Sequence, residues 1–283
     1  MSSIERAMGE GRPRQEEPAP TGQDGDDGPR RSRAGRTAEA FDAGGHIELD
    51  LPLLGAQGFL TPGGGDSRLQ EEYRIVKRPL LSHAFAPAAQ GRNPGNLIQV
   101  TSANLGEGKT FTVFNLGMSI GMELDYTVLL IDGDITRRTL THLVGLSHRP
   151  GLTDVLEADG KGLSEVIVNT NVPNLRILPA GEVRPHSTEL MASAHMKRVS
   201  EELAARYPDR LVLFDSPPLL MDSQAATLAG HMGQVLIVVE AGRTTEGMVK
   251  EGLNLLEQSA ARPSFLLNKS PRGYGAGYYY GRY

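Results

Sequence analysis

Gly106, Glu107, Gly108, Lys109 and Thr110 stand in an order that suits triphosphate chemistry, at the end of the stretch LIQVTSANLGEGKT, residues 97–110. Glycines at 106 and 108 let the backbone curl until successive N–H groups point at phosphate oxygens. Lys109 has the reach for β- and γ-phosphates, and Thr110 offers a hydroxyl to Mg²⁺. An apolar helical pattern starts here, with Phe111 next in line, and adds the positive end of its dipole. Residues 106–111 are therefore the candidate nucleotide-binding run. The strict pattern GxxxxGK[ST] asks for glycine where this chain has Ala103. A Gly-rich strand-to-helix turn that binds nothing would look similar, but two aspartate motifs downstream argue for a ligand.

Those motifs are LLIDGDITRR, with Asp132 and Asp134, and LVLFDSPP, with Asp215. Asp132 and Asp215 each stand just past an apolar run of four, residues 128–131 and 211–214. A single such aspartate is commonly a turn former or helix cap. Three of them beside a phosphate loop fit a Mg²⁺–phosphate site, because Mg²⁺ takes one or two carboxylates plus waters and phosphate oxygens. The third is then free to orient or deprotonate a nucleophile. The last thirteen residues, PRGYGAGYYYGRY, hold five of the chain's eight tyrosines: Tyr274, Tyr278, Tyr279, Tyr280 and Tyr283. Their glycine spacing argues against a packed core. The bland reading is a sticky low-complexity tail; the functional one is a set of phenol acceptors for phosphate transfer.

The elements that must position these groups alternate from Leu97 onward. Strands are expected at 97–101, 127–131, 175–178, 211–215, 234–239 and 264–267. Helices are expected at 110–122, 152–158, 188–206, 223–230 and 245–258. Short β-branched strands alternating with helices predict an α/β fold of the P-loop NTPase type, a mostly parallel sheet with helices on both faces. Ligands in such folds sit at the carboxyl ends of the strands. Ahead of this core, SRLQEEYRIVKRPLL reads as a helix over 67–85. Ser67 and Gln70 form its expected capping box, and Leu69, Tyr73, Val76 and Leu80 share one face. Pro79 should kink or end it. Residues 46–66 read as a linker or docking segment, with Ile47, Leu49 and Leu51 alternating with charges, and a short strand is an equal alternative within 46–62. Residues 1–45 are rich in Gly, Pro, Arg, Asp and Glu and are expected to be disordered. The P-loop core is placed at 67–270 and the tail at 271–283.

Composition bounds the rest. At 283 residues the chain can bury a substantial core, yet a hydrophobic content of 39% with 34 Gly and 18 Pro suggests that part of it is unfolded. A net charge of −5 gives no case for a nucleic-acid partner held by overall charge. The absence of cysteine excludes disulfides and thiolate metal sites. No apolar run approaches the ~20 residues of a membrane span, and the N-terminus lacks a secretory apolar core. The expectation is a soluble, cytoplasmic protein with no transmembrane segment of its own.

Taken together, EEYRIVKRPLL, SANLGEGKT, LLIDGDITRR, ILPAGEVRPHSTELM, ARYPDRLVLFDSPPLL, HMGQVLIVVEAGRTT, LLNK and the tyrosine cluster resemble the bacterial tyrosine kinases (BY-kinases) of polysaccharide export. Within these the chain looks most like the exosortase-associated tyrosine autokinases. The resemblance covers residues 46–283. It implies ATP and Mg²⁺, with Lys109 and Thr110 on phosphate and metal. Asp132 would accept the tyrosine proton, Asp134 would support Mg²⁺, and Asp215 would act on the metal through water. Asn268 would sit where related ATPases recognise adenine. The tail tyrosines would be phosphorylated in trans within a ring of subunits, built through the helix motif ExxRxxR. A membrane-bound chain-length-determinant protein would recruit the kinase to the inner membrane, and a cognate phosphatase is a further expected partner. Two departures stand out. Thr136 occupies the arginine position of DxDxR, with Arg137 following. The helix motif reads Glu71, Arg74, Lys77, with Arg78 one place late, and lysine lacks the planar fork of arginine.

Two other classes compete. A partitioning or positioning switch ATPase would carry a second lysine early in the P-loop, where this chain has Asn104. A nucleotide-gated scaffold would not need an intact Lys-Thr pair and three aspartates.

Overall fold

In a computed structural model of the chain, residues 44–64, 66–86, 93–157, 160–184, 186–206 and 209–271 are described. The expected N-terminal disorder falls on residues outside these, apart from 44 and 45, and so does all of the tail beyond Pro271. Strands β1 (His46–Ile47), β2 (Leu97–Ser102), β3 (Thr127–Asp132), β4 (Val168–Thr170), β5 (Leu175–Leu178), β6 (Arg210–Asp215), β7 (Gln234–Glu240) and β8 (Arg262–Asn268) form one sheet in the order β1-β4-β5-β3-β6-β2-β7-β8. The six strands from β5 to β8 are mutually parallel; β4 runs antiparallel to β5, and β1 follows β4.

Helices cover both faces: α1 (Leu51–Ala56), α2 (Ser67–Ala84), α3 (Lys109–Gly121), α4 (Thr139–Leu143), α5 (Leu152–Leu156), α6 (Leu163–Val166), α7 (Ser187–Met191), α8 (Ala194–Arg206), α9 (Ser223–Ala229) and α10 (Glu246–Leu256). The period of two in the strands divides their side chains between the two layers. Ile98, Val100, Val128, Leu130, Leu211 and Leu213 pack with Tyr73 and Leu80 of α2 and Phe114 of α3. Their neighbours Leu97, Leu129, Ile131, Val212 and Phe214 pack with Leu152, Met196, Leu203 and Leu228 on the other face. Both faces being covered, β2 and β6 are buried at every residue, whereas edge strand β8 alternates between exposed and half-buried.

Several local expectations are corrected. The α2 cap is Asp66, whose side chain accepts the Arg68 N–H at 2.9 Å, while Gln70 reaches the Gly64 carbonyl instead. Helix α2 continues through Pro79 to Ala84. The carbonyl this proline leaves without a donor belongs to Ile75, a residue 40% exposed, so water can take it. The helix expected over 188–206 is two helices that meet at Ser193, whose hydroxyl donates to the Leu190 carbonyl. Residues 46–62 pack on this chain's own core through Leu49, Leu54 and Leu60. The Leu60 N–H donates to Asn115 Oδ1 of α3 at 2.7 Å.

Candidate active site

The carboxyl ends of the parallel strands share one edge, and the chemistry collects there. After β2 the chain curls through two left-handed glycines, Gly106 at φ 80° and Gly108 at φ 98°, directly into α3 at Lys109. A Cβ on Gly108 would also lie 2.1 Å from Asn268 Nδ2, so this glycine is required on both counts. Ala103 is not among the described residues with positive φ, which is why alanine is tolerated at the first glycine position. Glu107 is buried and ties the loop down: its Oε2 accepts the Asn104 N–H at 2.7 Å, and its Oε1 accepts the Thr244 hydroxyl.

Asp132 and Asp215 end adjacent strands and are paired in register. The Thr110 hydroxyl donates to Asp215 Oδ2 at 2.6 Å. Asp132 Oδ2 accepts both the N–H and the hydroxyl of Thr141, at 2.8 and 2.7 Å, and Thr141 in turn accepts the Ala180 N–H. Asp134 Oδ1 accepts the Arg137 N–H at 3.1 Å, and its Oδ2 lies 3.6 Å from the Arg137 guanidinium. Burial pushes both Asp132 and Asp215 above the usual carboxylate range. The neighbouring Asp132 charge raises Asp215 further, against the pull of Thr110 and Lys109. For Lys109 burial lowers the pKa, and the charges of Asp215 and Asp134 oppose that.

Two buried acids sit this close together, and the buried Asp215 Oδ1 meets no hydrogen-bond donor, a donor set whose charge a cation would balance. This fits Mg²⁺ bound between protein and phosphate. Among the described residues no group of three acids or histidines could cage a metal alone, and Mg²⁺ held with phosphate needs only one or two carboxylates.

Gly106, Glu107, Gly108, Lys109, Thr110, Asp132, Asp134, Asp215 and Asn268 therefore converge on one sheet edge. Phe111 opens α3 in the same place, but its ring packs against Phe59 with centroids 5.0 Å apart. Tyr274, Tyr278, Tyr279, Tyr280 and Tyr283 lie outside the described residues. Glu71, Arg74 and Arg78 are exposed on α2, with Glu71 and Arg74 ion-paired at 2.6 Å. Lys77 differs: it is buried, donates to the Ser119 carbonyl at 2.8 Å and pairs with Glu123 at the end of α3. Lys77→Ala should lower the unfolding free energy by about 1.5–3 kcal/mol, the worth of a charged hydrogen bond. Arg74→Ala should change it by less than about 1 kcal/mol, as exposed pairs do. Urea titration of both variants checks the contrast, and equal losses would refute it. Sequence reading missed Thr141 and Thr244, whose contacts with Asp132 and Glu107 join residues far apart in the chain or in different elements.

The AAA domain family matches residues 95–260, more than half of the chain, so the chain belongs to it. Tyrosine-protein kinase ptk of Acinetobacter johnsonii is 31% identical over 65% of this chain and 24% of its own length. Tyrosine-protein kinase CpsD of Streptococcus agalactiae is 29% identical over 61% of this chain and 74% of that protein. The kinase domain of Escherichia coli tyrosine kinase ETK superposes with a TM-score of 0.59 at 28% identity, covering 74% of this chain and 80% of that one.

The chain is a member of the bacterial tyrosine-kinase (BY-kinase) family. It spans about a quarter of the length of ptk and of the Ralstonia EpsB proteins. The phosphate loop, both aspartate motifs and Asn268 of LLNK lie on the sheet edge just described, and EEYRIVKRPLL lies on α2. No helix among the described residues is long and apolar enough to cross a membrane.

Proposed function

We propose that this BY-kinase is an ATP-dependent protein-tyrosine autokinase that phosphorylates its own C-terminal tyrosines in trans. The observation that carries the reading is the pairing of Asp132 with Asp215 across β3 and β6 beside Lys109 and Thr110. The loop amides and Lys109 take the phosphates, and Thr110 and Asp215, with Asp134 near by, hold Mg²⁺. A Mg²⁺ held by these residues would supply positive charge against the phosphates being separated. Asp132, kept basic by burial and oriented by Thr141, accepts the proton of the attacking tyrosine hydroxyl. Lys109 stabilises the charge that develops on the transferred group. Asn268 stands at the loop end where an adenine would lie.

The biological reading follows the family: control of exopolysaccharide polymerisation and export, in the exosortase-associated branch. It includes subunit rings built through Glu71, Arg74 and Arg78, with Lys77 holding α2 onto α3 beneath them. A membrane-bound chain-length-determinant protein brings the kinase to the inner membrane, and a phosphatase resets it.

Peptide mass spectrometry before and after Mg-ATP, against a phosphatase-treated sample, tests this. Phosphate confined to peptides beyond Pro271 is expected. Steady ATP hydrolysis with an unmodified tail, the membrane activator being present, would instead indicate a switch ATPase.

A further inference from the structure

Asn268, the last residue of β8, and Lys269 just after it hold the nucleotide loop from behind. Asn268 Nδ2 donates to the Glu107 carbonyl at 2.9 Å, and the Lys269 ammonium donates to the Gly106 carbonyl at 2.6 Å. Both carbonyls belong to the curl between the left-handed glycines. With the amides of that curl turned toward the phosphate side, its carbonyls face the other way and need donors of their own.

Lys269 is placed for this by more than its length. Its backbone has φ 55°, one of two positive values among the described non-glycine residues, in a region that L-residues seldom visit. The kink is fastened by Asn268 Oδ1, which accepts the Lys269 N–H at 2.9 Å. Glu240 at the end of β7 holds the ammonium from the other side at 3.2 Å, while its own position is shared with Arg243 at 3.1 Å. The side chain is about half exposed, so core packing does not account for this arrangement.

We infer that Lys269 is a nucleotide-positioning residue: by pinning the Gly106 carbonyl it presets the loop amides for the phosphates. A loop ordered in advance does not have to be ordered on binding. Affinity for the di- and triphosphate therefore depends on Lys269 more than the rate of phosphate transfer does. The inference deepens the kinase reading and rests on nucleotide binding at this loop.

The test uses the full chain with Lys269→Met, which keeps the stem and removes the donor, and Lys269→Arg, which restores one. Titration calorimetry with Mg-ADP should show roughly tenfold weaker binding for the methionine variant, the size of one charge-assisted hydrogen bond. The arginine variant should recover most of it. Hydrogen exchange of the ligand-free protein should rise at residues 104–108 in Lys269→Met and little elsewhere. At saturating ATP, kcat should change by less than about twofold while KM rises.

If Lys269→Met binds ADP like the unaltered chain, the positioning role is refuted whatever the exchange shows, and the kinase reading stands. Unchanged exchange at 104–108 would refute the pinning of the loop. If the unaltered chain takes up no ADP, both readings fall together.

Discussion

Lys109→Met is expected to abolish tail phosphorylation while leaving the fold in place. Lys109 is 8% exposed and lies within the field of Asp215 and Asp134. Methionine fills the same channel at the start of α3 without the ammonium's desolvation cost. What disappears is the cation that meets charge as it moves between phosphates. A donor of this kind in an apolar site contributes about 3–4 kcal/mol to the transition state, so kcat should fall by a factor of about a hundred to a thousand. Phosphotyrosine immunoblotting with thermal melting would separate the effects: a normal melt with no label is the expected pair. Full labelling in Lys109→Met would overturn the site assignment.

The second large effect concerns the acceptors. Changing Tyr274, Tyr278, Tyr279, Tyr280 and Tyr283 to phenylalanine should remove the label entirely and leave Mg-ADP affinity unchanged, because none of the groups that build the nucleotide site is altered. Mixing this variant with Lys109→Met then tests the direction of transfer. One chain has a working site without acceptors, and the other has acceptors without a working site. Radiolabel from ATP should appear on the Lys109→Met chain alone. An unlabelled mixture, set against a labelled parent protein, would mean that each chain phosphorylates only itself.

The parts of this site that were legible in the sequence are those whose signal is local. The P-loop announces itself because its glycines, lysine and threonine are contiguous and sit between a strand pattern and a helix pattern. Asp132 and Asp215 were legible because each ends a run of apolar residues, and the parallel sheet then brings the two ends side by side. The resemblance to BY-kinases added roles to those positions, and the family match now supports the kinship.

What escaped the sequence depends on distant partners. Lys77 has the spacing of a solvent-facing charge, and only the packing of α2 on α3 reveals that the Ser119 carbonyl and Glu123 draw it inward. Pro79 read as a kink or an end because propensity rules ignore that a solvent-facing carbonyl tolerates the loss of a donor, yet the helix placed at 67–85 does run through it to Ala84. Strand β4 escaped for lack of length, since three residues carry no periodicity, whereas β1 lies in the stretch that read as a short strand or docking segment. Thr141 looks like any helix-start threonine until β3 places Asp132 beside it.

One consequence concerns β8, the edge strand at whose end Asn268 and the following Lys269 fasten the nucleotide loop. The chain leaves that strand at the rim of its own cradle, so on the proposed reading the reach of each acceptor tyrosine is bounded by the number of residues that separate it from Pro271. The twelve residues after Pro271 can span at most about 40 Å. A phenol confined to that radius has a local concentration in the millimolar range, far above that of free protein. A neighbouring subunit becomes an equally good target only when its cradle falls inside the same radius. Close assembly would therefore supply the acceptors for transfer in trans, and dilution below the assembly threshold should lower the label on the Lys109→Met chain in the mixture.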